Sequence, residues 1–195
     1  MPEEFTMGLY SRIEILMKTK LIFCAAVFAL LVHDAWAGIS ETVLESAGDN
    51  RTEIERALSQ VPNAQRAGLE FLILNMPAHD LSSLSADFLL ENTRLAYKSR
   101  EYAWAKAIPE DIFLNAVLPY ASINERRDNW RADFQKRFLP VVAEAKTPSE
   151  AAAKLNQTIF RQLNVKYSTK RNKADQSPYE SMESGLASCT GLSIL

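Results

Sequence analysis

Apolar residues recur at helical spacing from Ser40 to about Gln162, and this periodicity constrains the fold more than any other feature. It predicts a set of packed helices. The candidates are Glu53 to Leu58, Ala64 to Leu74, Ser85 to Ala105, a helix that begins at Pro109-Glu110-Asp111 and ends before Pro119, and a helix with Trp130, Phe134, Phe138 and Leu139 on one face. We interpret the aromatic and aliphatic stripes as core, because such stripes usually face the interior.

The clearest helix start lies at residues 147–150, which are Thr-Pro-Ser-Glu. The threonine can cap the helix, the proline suits its first position, and the glutamate completes a capping box. After this helix, the alternation from Val165 to Thr169 predicts a short strand. The polar stretch from Lys170 to Pro178 predicts a loop.

An export signal is predicted at the N-terminus. Lys18 and Lys20 precede an apolar run from Leu21 to Val32, which is followed by the small-residue site Ala35-Trp36-Ala37. This order is typical of a secretory signal peptide, and the run is shorter than the roughly 20 residues that span a bilayer. We therefore predict a signal peptide over residues 1–37, with an uncleaved anchor as the alternative.

Export would leave a secreted or periplasmic chain that begins at Gly38 and has no stable membrane anchor. Met17 is the expected true start, because acidic residues occupy the region before it where a signal peptide is positively charged. The whole chain has 22 Lys and Arg against 24 Asp and Glu, which gives no electrostatic reason to expect a nucleic-acid partner.

After residue 37 the chain contains one histidine, His79, and one cysteine, Cys189. A single cysteine cannot form an internal disulfide, and this pair cannot supply the three or four ligands of a zinc site. We therefore expect neither a metal nor a cofactor. We interpret His79 as a surface or capping residue, and the cluster 126–128 (Arg-Arg-Asp) as solvated.

The C-terminal segment contains the chemistry. A flexible polar approach through Gly185 and Ser188 leads to Cys189, and an apolar run follows. This pattern predicts a thiol at the start of a buried helix, where unpaired N–H groups stabilise a thiolate and can bind an oxyanion. The alternative is an inert, buried cysteine.

Three stretches then resemble the opening of a bacterial transglutaminase-like catalytic core. They are Val165-Lys166-Tyr167-Ser168-Thr169, Asp175-Gln176-Ser177-Pro178 and Gly185-Leu186-Ala187-Ser188-Cys189-Thr190-Gly191-Leu192-Ser193. The resemblance covers about residues 148–195. It implies a mostly α chain, with a helical region over residues 38–146, followed over residues 147–195 by the beginning of a truncated α+β, papain-like core.

The resemblance also implies thiol acyl chemistry on protein or peptide amides. Cys189 would be the nucleophile, a histidine the general base and acid, and an aspartate the group that orients the histidine. Tyr167 and Gln176 are the candidates for a second oxyanion donor. The family includes peptidases, amidases and acyl transferases.

In this family the histidine and aspartate follow the cysteine, whereas the chain reaches Leu195 six residues after Cys189. We therefore expect an N-terminal fragment that is inactive by itself, with Leu192, Ile194 and Leu195 exposed. Two alternatives remain open. One is a non-catalytic transglutaminase-like scaffold, and the other is an exported helical interaction module.

Overall fold

A computed structural model describes residues 39–170 and 176–195 of the chain. The predicted signal segment, residues 1–37, lies outside the described residues. Residues 44–170 and 176–195 belong to one compact unit. The described chain is mostly helical, which confirms the fold class at that level. Within the two described ranges, no helix combines the length and the apolar character needed to cross a membrane.

The described helices follow one another along the chain, and two short strands lie near its C-terminal end. The helices are α1 (Glu41–Ser46), α2 (Arg51–Gln60), α3 (Asn63–Asn75), α4 (Ala78–Leu81), α5 (Ala86–Ser99), α6 (Ala103–Lys106), α7 (Glu110–Ile112), α8 (Trp130–Val142), α9 (Pro148–Leu163), α10 (Pro178–Ser184) and α11 (Cys189–Ile194). A 3₁₀ turn occupies Gly48–Asn50 and a π-helical turn occupies Phe113–Val117. The strands β1 (Lys166–Tyr167) and β2 (Leu186–Ala187) pair in parallel.

Helix α9 begins where its sequence predicts, but the predicted capping box is not completed. The Thr147 hydroxyl accepts a hydrogen bond from the Glu150 N–H at 3.2 Å, and Pro148 occupies the first helical position. The Glu150 side chain accepts from the Lys146 N–H at 2.9 Å instead of from the N–H of Thr147. Asn164 ends the helix in a left-handed conformation with a φ of 53°. Asparagine tolerates this conformation because its short polar side chain can bond locally.

The predicted helix from Ser85 to Ala105 is wrong, since the structure divides it into α5 and α6. After Ser99, the N–H groups of Arg100, Glu101 and Tyr102 each bond to the carbonyl three residues earlier. This tighter turn ends the α-helical ladder. The segment contains neither glycine nor proline, so its sequence holds none of the usual signals for the break.

The largest buried apolar side chains come from α2, α3, α5 and the segment from the π-helical turn to residue 118. They are Ile54, Leu58, Leu69, Ile73, Leu89, Phe113 and Leu118. Full burial of each such side chain stabilises the fold by about 1.5–3 kcal/mol. The helical periodicity therefore identifies the face of each of these helices that forms the core.

A second hydrophobic cluster, here the C-terminal cluster, joins α8 and α9 to β2 and to the residue before β1. Its buried members are Phe138, Ile159, Leu163, Val165 and Ala187. The first of these lies before the predicted domain boundary at residues 146/147 and the other four lie after it. The two predicted regions therefore share one packed cluster.

Candidate functional site around Cys189

Cys189 is the first residue of α11, and its side chain is exposed. The preceding residue, Ser188, caps the helix, because its hydroxyl accepts a hydrogen bond from the Gly191 N–H at 3.1 Å. The N–H groups in the first turn of a helix have no partner within the helix, and they favour negative charge nearby. The thiol thus combines access to solvent with a position at a helix start.

A helix and a strand precede Cys189, where the sequence predicted a flexible polar stretch. Helix α10 begins with a capping box in which Ser177 Oγ accepts from the Glu180 N–H and Glu180 Oε2 accepts from the Ser177 N–H. Gly185 then ends the helix with a φ of 64°, a conformation that glycine adopts without a steric cost. The signal for this helix was present in the Ser-Pro-Tyr-Glu sequence.

Strand β2 leads directly from α10 to the cap of α11. Its pairing with β1 places Lys166 opposite Leu186 and Tyr167 opposite Ala187. The Lys166 N–H donates to the Gly185 carbonyl at 3.0 Å, which fixes the start of the strand. The predicted strand at residues 165–169 is therefore present in a shorter form, and its partner fixes the backbone just before Cys189.

Gln176 holds the corner between β2 and α11. Its side chain is 1% exposed, Oε1 accepts from the Ser188 N–H at 2.8 Å, and Nε2 donates to the Leu186 carbonyl at 3.2 Å. Gly191 lies so close that an added Cβ would be 3.0 Å from Oε1. An amide nitrogen has two hydrogens, of which this contact uses one. A role for Gln176 as an oxyanion donor stays a prediction.

Tyr167, the other oxyanion candidate, and His79, which was expected at the surface, are both exposed. Tyr167 lies in β1 with 59% of its surface accessible, and its oxyanion role also stays a prediction. The side chain of His79 is 65% exposed, and Nε2 lies 2.9 Å from Oδ1 of Asp80 in the same helix, α4. The structure thus gives His79 an aspartate partner and leaves it a surface residue, as the sequence suggested.

The prediction that residues 126–128 are solvated is wrong for Arg127. Its side chain is 11% exposed, and its Nε lies 3.0 Å from both carboxylate oxygens of Asp80, whose side chain is 1% exposed. Tyr120 donates its hydroxyl to the same carboxylate at 2.8 Å. Burial, followed by the hydrogen bond and charge of Asp80, raises the pKa of Tyr120 above its ordinary value of 10.

Asp128 is also buried, with 8% of its side chain exposed. Its carboxylate accepts a hydrogen bond from Ser177 Oγ, the same hydroxyl that caps α10. Arg126 lies 2.6 Å from Asp128 and 3.2 Å from Glu183 of α10. These contacts therefore link the segment before α8 to α10, the helix that precedes β2 and Cys189.

Helix α11 is packed on one side, which corrects the expected exposure of its apolar residues. Leu192 and Leu195 are partly buried and contact the C-terminal cluster, and Ile194 is also only partly exposed. The two-stranded pair and α9 supply the surface that the sequence alone did not indicate. Cys189 is therefore exposed at the start of a helix that contributes Leu192 and Leu195 to the C-terminal cluster.

Within residues 39–170 and 176–195, no group of three or more His, Cys, Asp or Glu side chains could hold a metal ion. Comparison of the chain with protein-family models, with curated proteins and with solved structures found no match in any of the three.

Proposed function

We propose that this chain contains the nucleophile of an exported, transglutaminase-like thiol enzyme that acts on protein or peptide amides. The observation that supports this best is the position of Cys189, exposed at the first residue of a capped helix. Unpaired N–H groups at the start of a helix favour a thiolate, which is the reactive form of a thiol. The sequence motif around this residue supplies the family resemblance.

In the proposed reaction, the Cys189 thiolate attacks the carbonyl carbon of an amide. A carbon–sulfur bond forms, and the carbonyl electron pair moves to oxygen, where N–H groups at the helix start would stabilise it. Collapse of this intermediate breaks the carbon–nitrogen bond, and the amine leaves with a proton from a histidine. The thioester then transfers its acyl group to water or to a second amine.

The histidine and aspartate of this chemistry are expected, from the resemblance, after the cysteine. His79 lies before it and is paired with Asp80 instead. We propose that His79 does not act as the base of this chemistry, and a triad without its base loses most of its rate. Release of amine from a blocked peptide amide, compared between this chain and its His79→Ala variant, tests this. Turnover that requires His79 would contradict the proposal.

The state of the thiol is tested by measuring the rate of Cys189 alkylation with iodoacetamide at pH 7, with mass spectrometry to identify the labelled site. We expect faster alkylation in the folded chain than in urea, because the reactive species is the thiolate. The Ser188→Ala variant, which loses the cap, is expected to slow alkylation of the folded chain. Equal rates in the folded and unfolded chain would exclude an activated thiolate and favour the non-catalytic scaffold.

Export is a separate part of the proposal and has a separate test. Expression with the full N-terminus, followed by mass spectrometry of the exported protein, is expected to give a chain that begins at Gly38. A protein that retains residues 1–37 would contradict the signal peptide without bearing on the chemistry of Cys189.

A further inference from the structure

A cavity of about 250 Å³ lies beside the buried pair of Asp80 and Arg127. It opens between the C-terminal end of α3, the π-helical turn and the segment 119–127. Most of its lining is apolar and comes from Phe71, Leu72, Met76, Pro77, Pro119 and Ile123. A concave apolar site with a few convergent polar groups is the typical form of a ligand pocket.

The charged groups in this cavity neutralise each other. Arg127 directs Nε and one terminal nitrogen to the Asp80 carboxylate, and its other terminal nitrogen donates to the Glu125 carbonyl at 2.5 Å. The carboxylate also accepts from Tyr120. A charged ligand would have to compete with these buried contacts. An uncharged ligand would leave them intact, so the lining favours an uncharged group.

Two amide oxygens at the cavity are available as acceptors. The Asn75 side-chain nitrogen donates to the Phe71 carbonyl at 2.7 Å, and the Asn115 nitrogen donates to the Asp111 carbonyl at 2.8 Å. Each asparagine therefore has its oxygen left over, and both residues are exposed. Among the described residues, none donates to either oxygen. A ligand that supplies N–H donors next to an apolar group would match this arrangement.

The size of the cavity restricts the ligand further. Pockets for drug-sized ligands and cofactors measure about 300–1,000 Å³, and this one is slightly smaller. We propose that it binds one bulky, uncharged apolar side chain of an extended peptide, whose backbone N–H groups donate to Asn75 and Asn115. This binding site does not depend on the chemistry proposed for Cys189.

The test is titration of the ¹⁵N-labelled chain with blocked dipeptides, followed by NMR. N-acetyl-Phe-Ala-amide is expected to shift the amide signals of Ala121 and Ile123 in a saturable way. Replacing its phenylalanine by aspartate or lysine is expected to weaken binding by about tenfold or more, since the buried apolar area is lost. Equal binding of all three peptides, or shifts that do not saturate, would overturn the proposal.

Variants of the chain locate the site. Ala121→Phe fills the cavity and is expected to weaken binding of the phenylalanine peptide by about tenfold, whereas Ala153→Phe, an exposed control in α9, leaves it unchanged. Asn115→Ala removes one acceptor from an exposed position. It is expected to weaken binding of the phenylalanine peptide several-fold while the fold stays intact. Unchanged binding in both cavity variants would exclude this pocket. Cys189→Ser is expected to bind the phenylalanine peptide as tightly as the wild type does. The binding test therefore does not depend on the chemistry proposed for Cys189.

Discussion

Replacing Asp80 by alanine is expected to destabilise the protein more than any substitution of a surface carboxylate. The side chain is 1% exposed and accepts from Tyr120 and from two nitrogens of Arg127 at 2.8–3.0 Å. Removing one partner of a buried ion pair costs about 3–5 kcal/mol, because the remaining charge is left without compensation. The free energy of unfolding of a domain of this kind is about 5–15 kcal/mol, so the variant should still fold but with a much lower stability.

Urea unfolding followed by circular dichroism measures this effect. With a slope of about 2 kcal/mol per molar urea, a loss of about 4 kcal/mol lowers the midpoint by about 2 M. Asp133→Ala is the matched control, since Asp133 pairs with Arg137 four residues away on the surface and is 27% exposed. Surface pairs of this kind contribute little, so its midpoint should move far less.

The double variant Asp80→Ala/Arg127→Met decides whether the burial of charge is the cause. When both partners are removed, neither Asp80 nor Arg127 is left as a buried charge without its partner. The loss in the double variant should therefore be smaller than the sum of the two single losses by about 1–3 kcal/mol. Strictly additive losses would refute the argument, because they would mean that the two side chains act independently.

Three further substitutions test separate parts of the fold. The pKa of Tyr120 is raised in the folded protein, so the stabilising contribution of this tyrosine is complete below pH 10 and is lost as the pH rises above 10. The free energy of unfolding of the wild type, measured by urea titration at each pH, should therefore fall more steeply above pH 10 than that of Tyr120→Phe. Gly191→Ala should cost about 1–3 kcal/mol by crowding the buried Gln176, whereas Ser193→Ala on the exposed side of α11 should be nearly neutral in the same unfolding assay. Thr147→Ala should cost about 1 kcal/mol through loss of the cap of α9, measured by thermal unfolding; an unchanged midpoint would mean that the cap bond contributes nothing.

The sequence predicted those features of the fold that depend on neighbouring residues. Thr147-Pro148-Ser149-Glu150 indicated the start of α9 because the cap bond from the Glu150 N–H to the Thr147 hydroxyl involves only residues within one turn. The same logic applies to Ser177-Pro178-Tyr179-Glu180, and the prediction of a flexible approach to Cys189 missed it. Local chemistry was sufficient in both places.

The burial of Arg127 and Asp128 could not be predicted in this way. Their partners, Asp80 and Ser177, lie 47 and 49 residues away along the chain. Charged residues are mostly exposed unless they are paired, and nothing near 126–128 shows which distant groups complete the pairs. The same limit applies to Gln176, because its amide oxygen accepts from the N–H of Ser188, which lies 12 residues further along the chain.

Within residues 126–128, neighbouring side chains reach in two directions: one to the cavity and the next to α10, the helix that precedes β2 and Cys189. Arg127 pairs with Asp80 beside the cavity, whereas Asp128, the next residue, accepts from the hydroxyl that caps α10. A shift of the backbone at either position must therefore disturb the other, because the two contacts are one residue apart. The Asp80→Ala variant consequently also tests this link. If the connection is rigid, the rate of Cys189 alkylation at pH 7 should change in that variant and stay unchanged in Asp133→Ala. Equal rates in both variants would mean that the cavity and the turn that carries Cys189 are independent.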